Sequence, residues 1–180
     1  MSLSFNKAIK KTKVYLHFEN GRSFSAWCNL PDSHPKLTQG IWGEAAFTTG
    51  MSGYQETMTD PSFLGQHIIF STSHVGNYES DDEVLQSRTC HATALVARNF
   101  SSNQFLKKIH EEQEIALIHG LDTRSLVRFM TDNECSHKSV ITTNKNSPAQ
   151  EEFERAQLHC ADLSRVSQSE KEELIPGDNP

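Results

Sequence analysis

Residues 43–64 read GEAAFTTGMSGYQETMTDPSFL, and the chain continues to Tyr78 as GQHIIFSTSHVGNY. Gly, Thr, Ser, Asn and Asp are packed between short apolar runs. Such a segment is a strand feeding turns and short helices, with backbone and hydroxyl groups presented at a surface. Its centre, Thr48 to Glu56, is too apolar and aromatic for a flexible linker and too rich in glycine and hydroxyls for ordinary core. Glu44 to Thr48 predicts a short strand, and Ser52 to Thr59 one or two helical turns. Asp60-Pro61 has the form of an N-cap followed by proline at the first helical position, where its missing N–H costs nothing. A short helix over Pro61 to Leu64 should follow, ending at Gly65. The apolar, β-branched stretch from His67 to Thr72 then predicts a buried strand.

Towards the N-terminus, Val14, Leu16 and Phe18 alternate with Tyr15 and His17, the period of a half-buried strand. Asn20-Gly21 follows, then a second run from Arg22 to Trp27. That pattern predicts a β-hairpin closed by a type I′ turn. Leu30 to Gly40, with its prolines and polar residues, reads as a loop. Towards the C-terminus, Glu79 to Glu83 is an acidic loop, and strands are expected at His91–Arg98, Ile115–Ile118 and Ser139–Thr143. Asn103 to Glu112 has helical spacing in Phe105, Leu106 and Ile109. Asp122 caps a helix beginning Thr123-Arg124-Ser125, with Leu121 and Leu126 placed as a hydrophobic staple. Ser147-Pro148-Ala149-Gln150 reads as a capping box whose helix shows Ala149, Phe153, Ala156 and Cys160 on one face. Residues 1–12 read as an N-terminal arm, 13–166 as the domain and 167–180 as a polar linker. Early strands followed by strands mixed with helices define an α/β domain with mixed sheets and a few short helices, opening with the hairpin.

A chain of 180 residues suits one domain with tails. The formal charge of −6 argues against a nucleic-acid partner, and the lysines at 7, 10, 11 and 13 read as a solvated arm. No run approaches the roughly 20 apolar residues of a membrane helix, so no membrane partner is expected. Cys28, Cys90, Cys135 and Cys160 form no C-x-x-C pair and read as reduced thiols in a cytoplasmic protein. The histidines lack the paired spacing of a zinc site, and no metal ligands are assigned. Gly50-x-x-Gly53 lacks the Gly-Lys-Ser/Thr ending of a phosphate-binding loop.

The opening stretch resembles the signature of the N-terminal domain of the small, glutamine-hydrolysing subunit of carbamoyl-phosphate synthase, roughly GE-x-VFNTGMTGYQE-x-LTDPSY and then PHIGNYG. Gly43, Glu44, Phe47, Thr49, Gly50, Met51, Gly53, Tyr54, Gln55, Glu56, Thr59, Asp60, Pro61, Ser62, His74, Gly76, Asn77 and Tyr78 stand in register with it. Leu121 to Arg128 is similar to the family's IDTR-x-LT-R-x-L helix, and Ser87, His91 and Ala92 to its ES and His-Ala positions. The resemblance runs from about Val14 to Val166. Departures are Ser73 for a proline, Ala94 and Asn99 for glycine and aspartate, and Asn133-Glu134 for a glycine turn.

The resemblance implies a swivelling β/β/α-type domain that catalyses nothing by itself. It implies docking of a glutaminase onto the ATP-using large subunit, with the domain flanking the glutamine site and the ammonia route. Partners so implied are the large subunit, the chain's own C-terminal glutaminase domain and glutamine. No cofactor is implied for this domain; ATP and Mg belong to the large subunit. No cysteine lies in the G-x-C-x-G elbow of a glutaminase, so the residues at hand are expected to be a fragment that is inactive alone. By resemblance Ser62 reaches the bound glutamine; by its neighbours alone it is a first-turn serine after the Asp60 cap. Gly50, Met51, Gly53, Tyr54, Gln55, Glu56, Asp60, His74, Asn77 and Arg124 are read as interface or site-shaping residues. Arg124 has two readings, a carboxylate clamp or a structural ion pair. Two other functions stay open: a free-standing interaction module that kept the docking face, and a small hydrolase using Ser62 or Cys90.

Overall fold

The computed structural model describes residues 12–77, 85–87, 89–132 and 137–154. Strand β1 (Thr12–Phe18) pairs antiparallel with β2 (Ser23–Cys28), so the chain does open with a hairpin. Its turn differs from the expected one. Gly21 N–H donates to the Phe18 carbonyl at 2.9 Å and Gly21 has φ +84°, while Asn20 keeps a negative φ. The loop is thus a type I turn with a left-handed glycine as the bulge residue. Asn20 instead accepts the Arg22 N–H through its side chain at 3.1 Å, which holds it out of the left-handed region.

The segment read as a loop from Leu30 to Gly40 contains helix α1 (Pro35–Gln39). His34 caps it, its Nδ1 accepting the Lys36 N–H at 3.2 Å, and proline fills the first helical position. Histidine is outside the usual capping set, which is why the start was not legible. Strand β3 (Ile41–Thr48) begins three residues earlier than its polar end suggested. Helix α2 (Tyr54–Thr59) and a single 3-10 turn (Pro61–Phe63) lead to β4 (Gln66–Phe70). Two short strands, β5 (His74–Val75) and β7 (Asn99–Phe100), pair in parallel, and β6 (Ala94–Val96) lies between them in sequence. Then come α3 (Gln104–Gln113), β8 (Ala116–His119), α4 (Thr123–Asp132) and β9 (Lys138–Thr142). Asp122 caps α4 as expected, accepting the Arg124 and Ser125 N–H groups at 3.2 Å each.

Seven of these strands close into a barrel in the order β1-β2-β8-β6-β4-β3-β9. The parallel strands β3, β4, β6 and β8 run side by side; β9 is antiparallel to both β3 and β1 and closes the ring. Closure removes the free edges that would otherwise pair with other chains. The apolar runs in β4, β6 and β8 follow from burial on both faces. Ile69, Val96 and Ile118 point into the barrel with Val14, Leu16 and Ile141. Ile68, Leu95 and Leu117 point outward, beneath Met58 of α2 and Leu106 and Ile109 of α3. Helix α4 adds Leu126 and Met130 to the interior cluster, and Phe129 meets Phe18 edge-on at 5.2 Å between centroids.

The last helix starts two residues later than its sequence suggested. Residues 150–154 are helical, and Glu152 Oε1 accepts the Ala149 N–H at 3.3 Å, so Glu152 makes the return bond expected of Gln150. Gln150 is drawn away to Glu19 Oε1 at 2.9 Å, and Phe153 is buried edge-on against Trp42. The arm, the acidic loop at 79–83, Tyr78, Cys135, Cys160 and the polar tail lie outside the described residues.

Candidate functional site

The signature stretch divides into an exposed loop and a buried support. Thr49, Gly50, Met51 and Ser52 are exposed, Met51 at 89%. A single exposed apolar side chain is ordinary on a protein surface, so it is the order of the loop around Met51 that matters. The loop is not slack. Thr48 Oγ1 accepts the Gly50 N–H at 3.2 Å, and the Thr48 carbonyl accepts the Ser71 N–H at 3.1 Å. That second bond joins the loop after β3 to the loop after β4, both leaving the carboxyl ends of parallel strands.

Gly53 caps α2, and the next residues turn inward. Tyr54 and Gln55 are buried, at 5% and 2% exposure. The Tyr54 hydroxyl accepts from Asn103 Nδ2 at 3.2 Å, and Asn103 Oδ1 caps α3 through the Phe105 and Leu106 N–H groups. Tyr54 therefore locks α2 to the start of α3. Glu56 stays exposed beside Gly53 in the first turn of α2, where a carboxylate suits the positive end of the helix.

The end of α2 carries a second anchor. Thr59 Oγ1 donates to the Gln55 carbonyl at 2.8 Å and accepts the Gln86 N–H at 3.0 Å. The Thr59 carbonyl accepts the Ser87 hydroxyl at 2.7 Å, and His91 Nε2 lies 3.0 Å from the same hydroxyl. Because Ser87 spends its one proton on a carbonyl, His91 donates to it. This is the reverse of a serine activated by a histidine base, and the group acts as a staple. It fixes the chain just before Asp60 and Ser62.

Asp60 Oδ1 accepts the Ser62 N–H at 2.8 Å. The Ser62 N–H is thus occupied, as in a first-turn serine after the Asp60 cap, and the helix there is only one 3-10 turn. What Ser62 offers is its side chain, which is exposed and makes no hydrogen bond among the described residues. His74 and Asn77 are exposed in the neighbouring loop. Arg124 sits apart, exposed in the first turn of α4 beyond β8, with no carboxylate within ion-pair distance among the described residues. The structure thus joins Thr59, Asp60 and Ser62 to Ser87 and His91, joins Tyr54 to Asn103, and does not bring Arg124 to them.

Neither described cysteine is an activated nucleophile. Burial pushes the Cys28 and Cys90 thiols up to about 11. Among the described residues no group of three His, Cys, Asp or Glu side chains could hold a metal ion, and no helix is long and apolar enough to cross a membrane. Buried polar groups that the local pattern does not mark include His67 and Asn29. His67 bonds Ser139 across the barrel wall, and Asn29 accepts the Leu117 N–H at 2.7 Å while its amide meets His110 Nδ1 at 2.6 Å. No local signal marks either pair, because the partners lie far apart in sequence.

The described residues thus form a parallel-rich barrel that carries an exposed glycine- and hydroxyl-lined loop. Residues 16–141 match the family model for the carbamoyl-phosphate synthase small chain, CPSase domain, and the chain belongs to that family. It is 37% identical over 113 residues to the carbamoyl phosphate synthase small chain of Lawsonia intracellularis, covering 59% of this chain and 30% of that one. With the small chain of Caldanaerobacter subterraneus it shares 34% over 139 residues, 73% of this chain and 37% of the relative. With the arginine-specific small chain of Halalkalibacterium halodurans it shares 28% over 148 residues, 78% and 39% of the two chains. The chain therefore spans well under half the length of these curated relatives.

Proposed function

We propose that this chain is the non-catalytic N-terminal domain of the small subunit of a glutamine-dependent carbamoyl-phosphate synthase. In this role it docks a glutaminase onto the ATP-using large subunit and flanks the glutamine site and ammonia route. The observation that carries the reading is the family match together with the exposed loop at 49–52 beside a stapled Ser62. Docking needs a surface whose shape is set before the partner arrives, since ordering it on contact would cost affinity. The buried Tyr54–Asn103 bond and the half-buried Thr59–Ser87 bond supply that order. Ser62, exposed on the pinned turn, is the side chain offered to glutamine. Sealing an ammonia route matters because ammonia released to water is protonated and lost as a nucleophile.

A pull-down of this chain with a carbamoyl-phosphate synthase large subunit tests the docking role, with binding expected. Failure to bind under low-salt conditions would overturn it. Glutamine hydrolysis by the chain alone is expected to be at background, and turnover removed by Ser62→Ala would favour the small-hydrolase reading instead.

A further inference from the structure

Among the described residues the other large apolar side chain standing in water is Trp27, 39% exposed on the outer face of β2. It lies away from the signature loop and has no role in the reading above. Its ring is held on two sides. Lys13, its partner across the β1–β2 ladder, lays its ammonium 4.9 Å from the ring centroid. On the other side the ring rests on Gly120. A Cβ there would come within 3.0 Å of Trp27 Cδ1, and Gly120 has φ +81°, so a side chain is disfavoured twice over. The Gly120 N–H donates to the Arg98 carbonyl at 3.0 Å, which brings the end of β6 beside the end of β8.

Lys13, Trp27, Arg98, Gly120 and Arg124 are all exposed. Neither Arg98 nor Arg124 has a carboxylate within ion-pair distance among the described residues, whereas Lys107, Arg128 and Lys138 do. Hydrogen bonds with Ser125 first of all hold the Asp122 carboxyl below the usual range, and Arg98 is close enough to help. The local carboxylate, Asp122, is engaged in capping α4 through Ser125 and Arg124 N–H. Three cations against one carboxylate, Asp122, leave the surface near this rigid aromatic net positive on a chain whose formal charge is −6. Trp and Arg are the residues that most often carry binding energy at protein interfaces. A ring already fixed loses little freedom on contact.

We propose that Trp27, flanked by Lys13 and Arg98, is the centre of a docking surface for an acidic protein face. Resting on the reading given under "Proposed function", that face belongs to the large subunit. Charge complementarity makes the commitment: a cationic rim around an aromatic fits carboxylates around an apolar recess.

The test titrates the large subunit with this chain, with Trp27→Ala, with Arg98→Glu and, as a charge-reversal control, with Lys107→Glu on α3. Trp27→Ala and Arg98→Glu should each bind at least about tenfold more weakly, with the Arg98→Glu deficit shrinking as salt rises. Lys107→Glu should bind as the parent does. If the parent binds and both patch variants match it, this proposal falls while the docking role stands. If the parent itself does not bind, both fall. A parent that self-associates in sedimentation, with Trp27→Ala abolishing the dimer and sparing large-subunit binding, would overturn the proposal in favour of a second copy.

Discussion

His67 on β4 and Ser139 on β9 share a hydrogen bond of 2.9 Å, although β3 lies between their strands. Gly43 on β3 makes the reach possible. The Ser139 hydroxyl donates to the Gly43 carbonyl at 3.2 Å, so it is His67 that donates to Ser139, from Nδ1–H. His67 Nε2 is then the unprotonated nitrogen, buried over the glycine with no hydrogen-bond partner among the described residues. Three strands are tied through one buried pair.

That burial has a pH consequence. His67 is fully buried, and its pKa is pushed down to about 4, with the Ile41 carbonyl opposing the shift in part. The unfolded chain takes up this proton near pH 6.5 and the folded chain does not until about pH 4. Stability is therefore constant above about pH 6.5 and falls as the pH drops towards 4, by about 3 kcal/mol from this group. His110, also held low by burial first of all, adds in the same direction. Urea unfolding at a series of pH values should show the decline, and His67→Gln should flatten it. A parent whose stability is level between pH 7 and 4.5 would contradict the assignment.

Gly43→Ala should destabilise the barrel by about 1–3 kcal/mol. The added Cβ would sit 2.8 Å from the Gly65 carbonyl and 2.9 Å from His67 Nε2, and the first of these is backbone that cannot swing aside. Thermal denaturation measures the loss. An unchanged midpoint would mean that β3 and β4 are further apart than described.

Cys28 and Cys90 should resist alkylation in the folded chain. With their thiols near 11, roughly a thousandth of each is thiolate at pH 8, and both are buried besides. Iodoacetamide labelling followed by peptide mapping should find both sites modified only after denaturation. Rapid labelling of Cys90 in the native chain would revive the idea of a nucleophile there.

Ser87→Ala removes the donor to the Thr59 carbonyl and the acceptor for His91. Its cost should be about 1–3 kcal/mol, the usual net worth of two such bonds. Ser87→Thr should recover most of it. Limited proteolysis should show faster cleavage near Ser62 in Ser87→Ala than in the parent. Equal rates would show that the staple does not hold the Asp60–Ser62 turn.

Much of the fold was legible because its causes are local. Asp60 and Asp122 cap turns that begin one residue later. The alternation of Val14, Leu16 and Phe18 set one face of β1 towards the core. Local signals also misled where a side chain found a better partner. Asn20 bonded the Arg22 N–H and kept out of the left-handed region, so the turn changed type. Gln150 was drawn to Glu19, so the return bond of the last helix passed to Glu152. Of the expected site residues, Tyr54 and Gln55 went inside as supports, while Met51, Glu56, Ser62, His74, Asn77 and Arg124 stayed at the surface.

Turn chemistry, capping and hydrophobic period act over a few neighbouring residues, so composition and order alone determined the hairpin, the starts of the Pro61 turn, α3 and α4, and the family of this protein. Closure of the sheet through β1 and β9, the His67–Ser139 bond spanning 72 residues and the cationic frame of Trp27 were decided only when distant segments met. Those features depend on which strand faces which and on the space a glycine leaves between them, and no short window of sequence contains both partners.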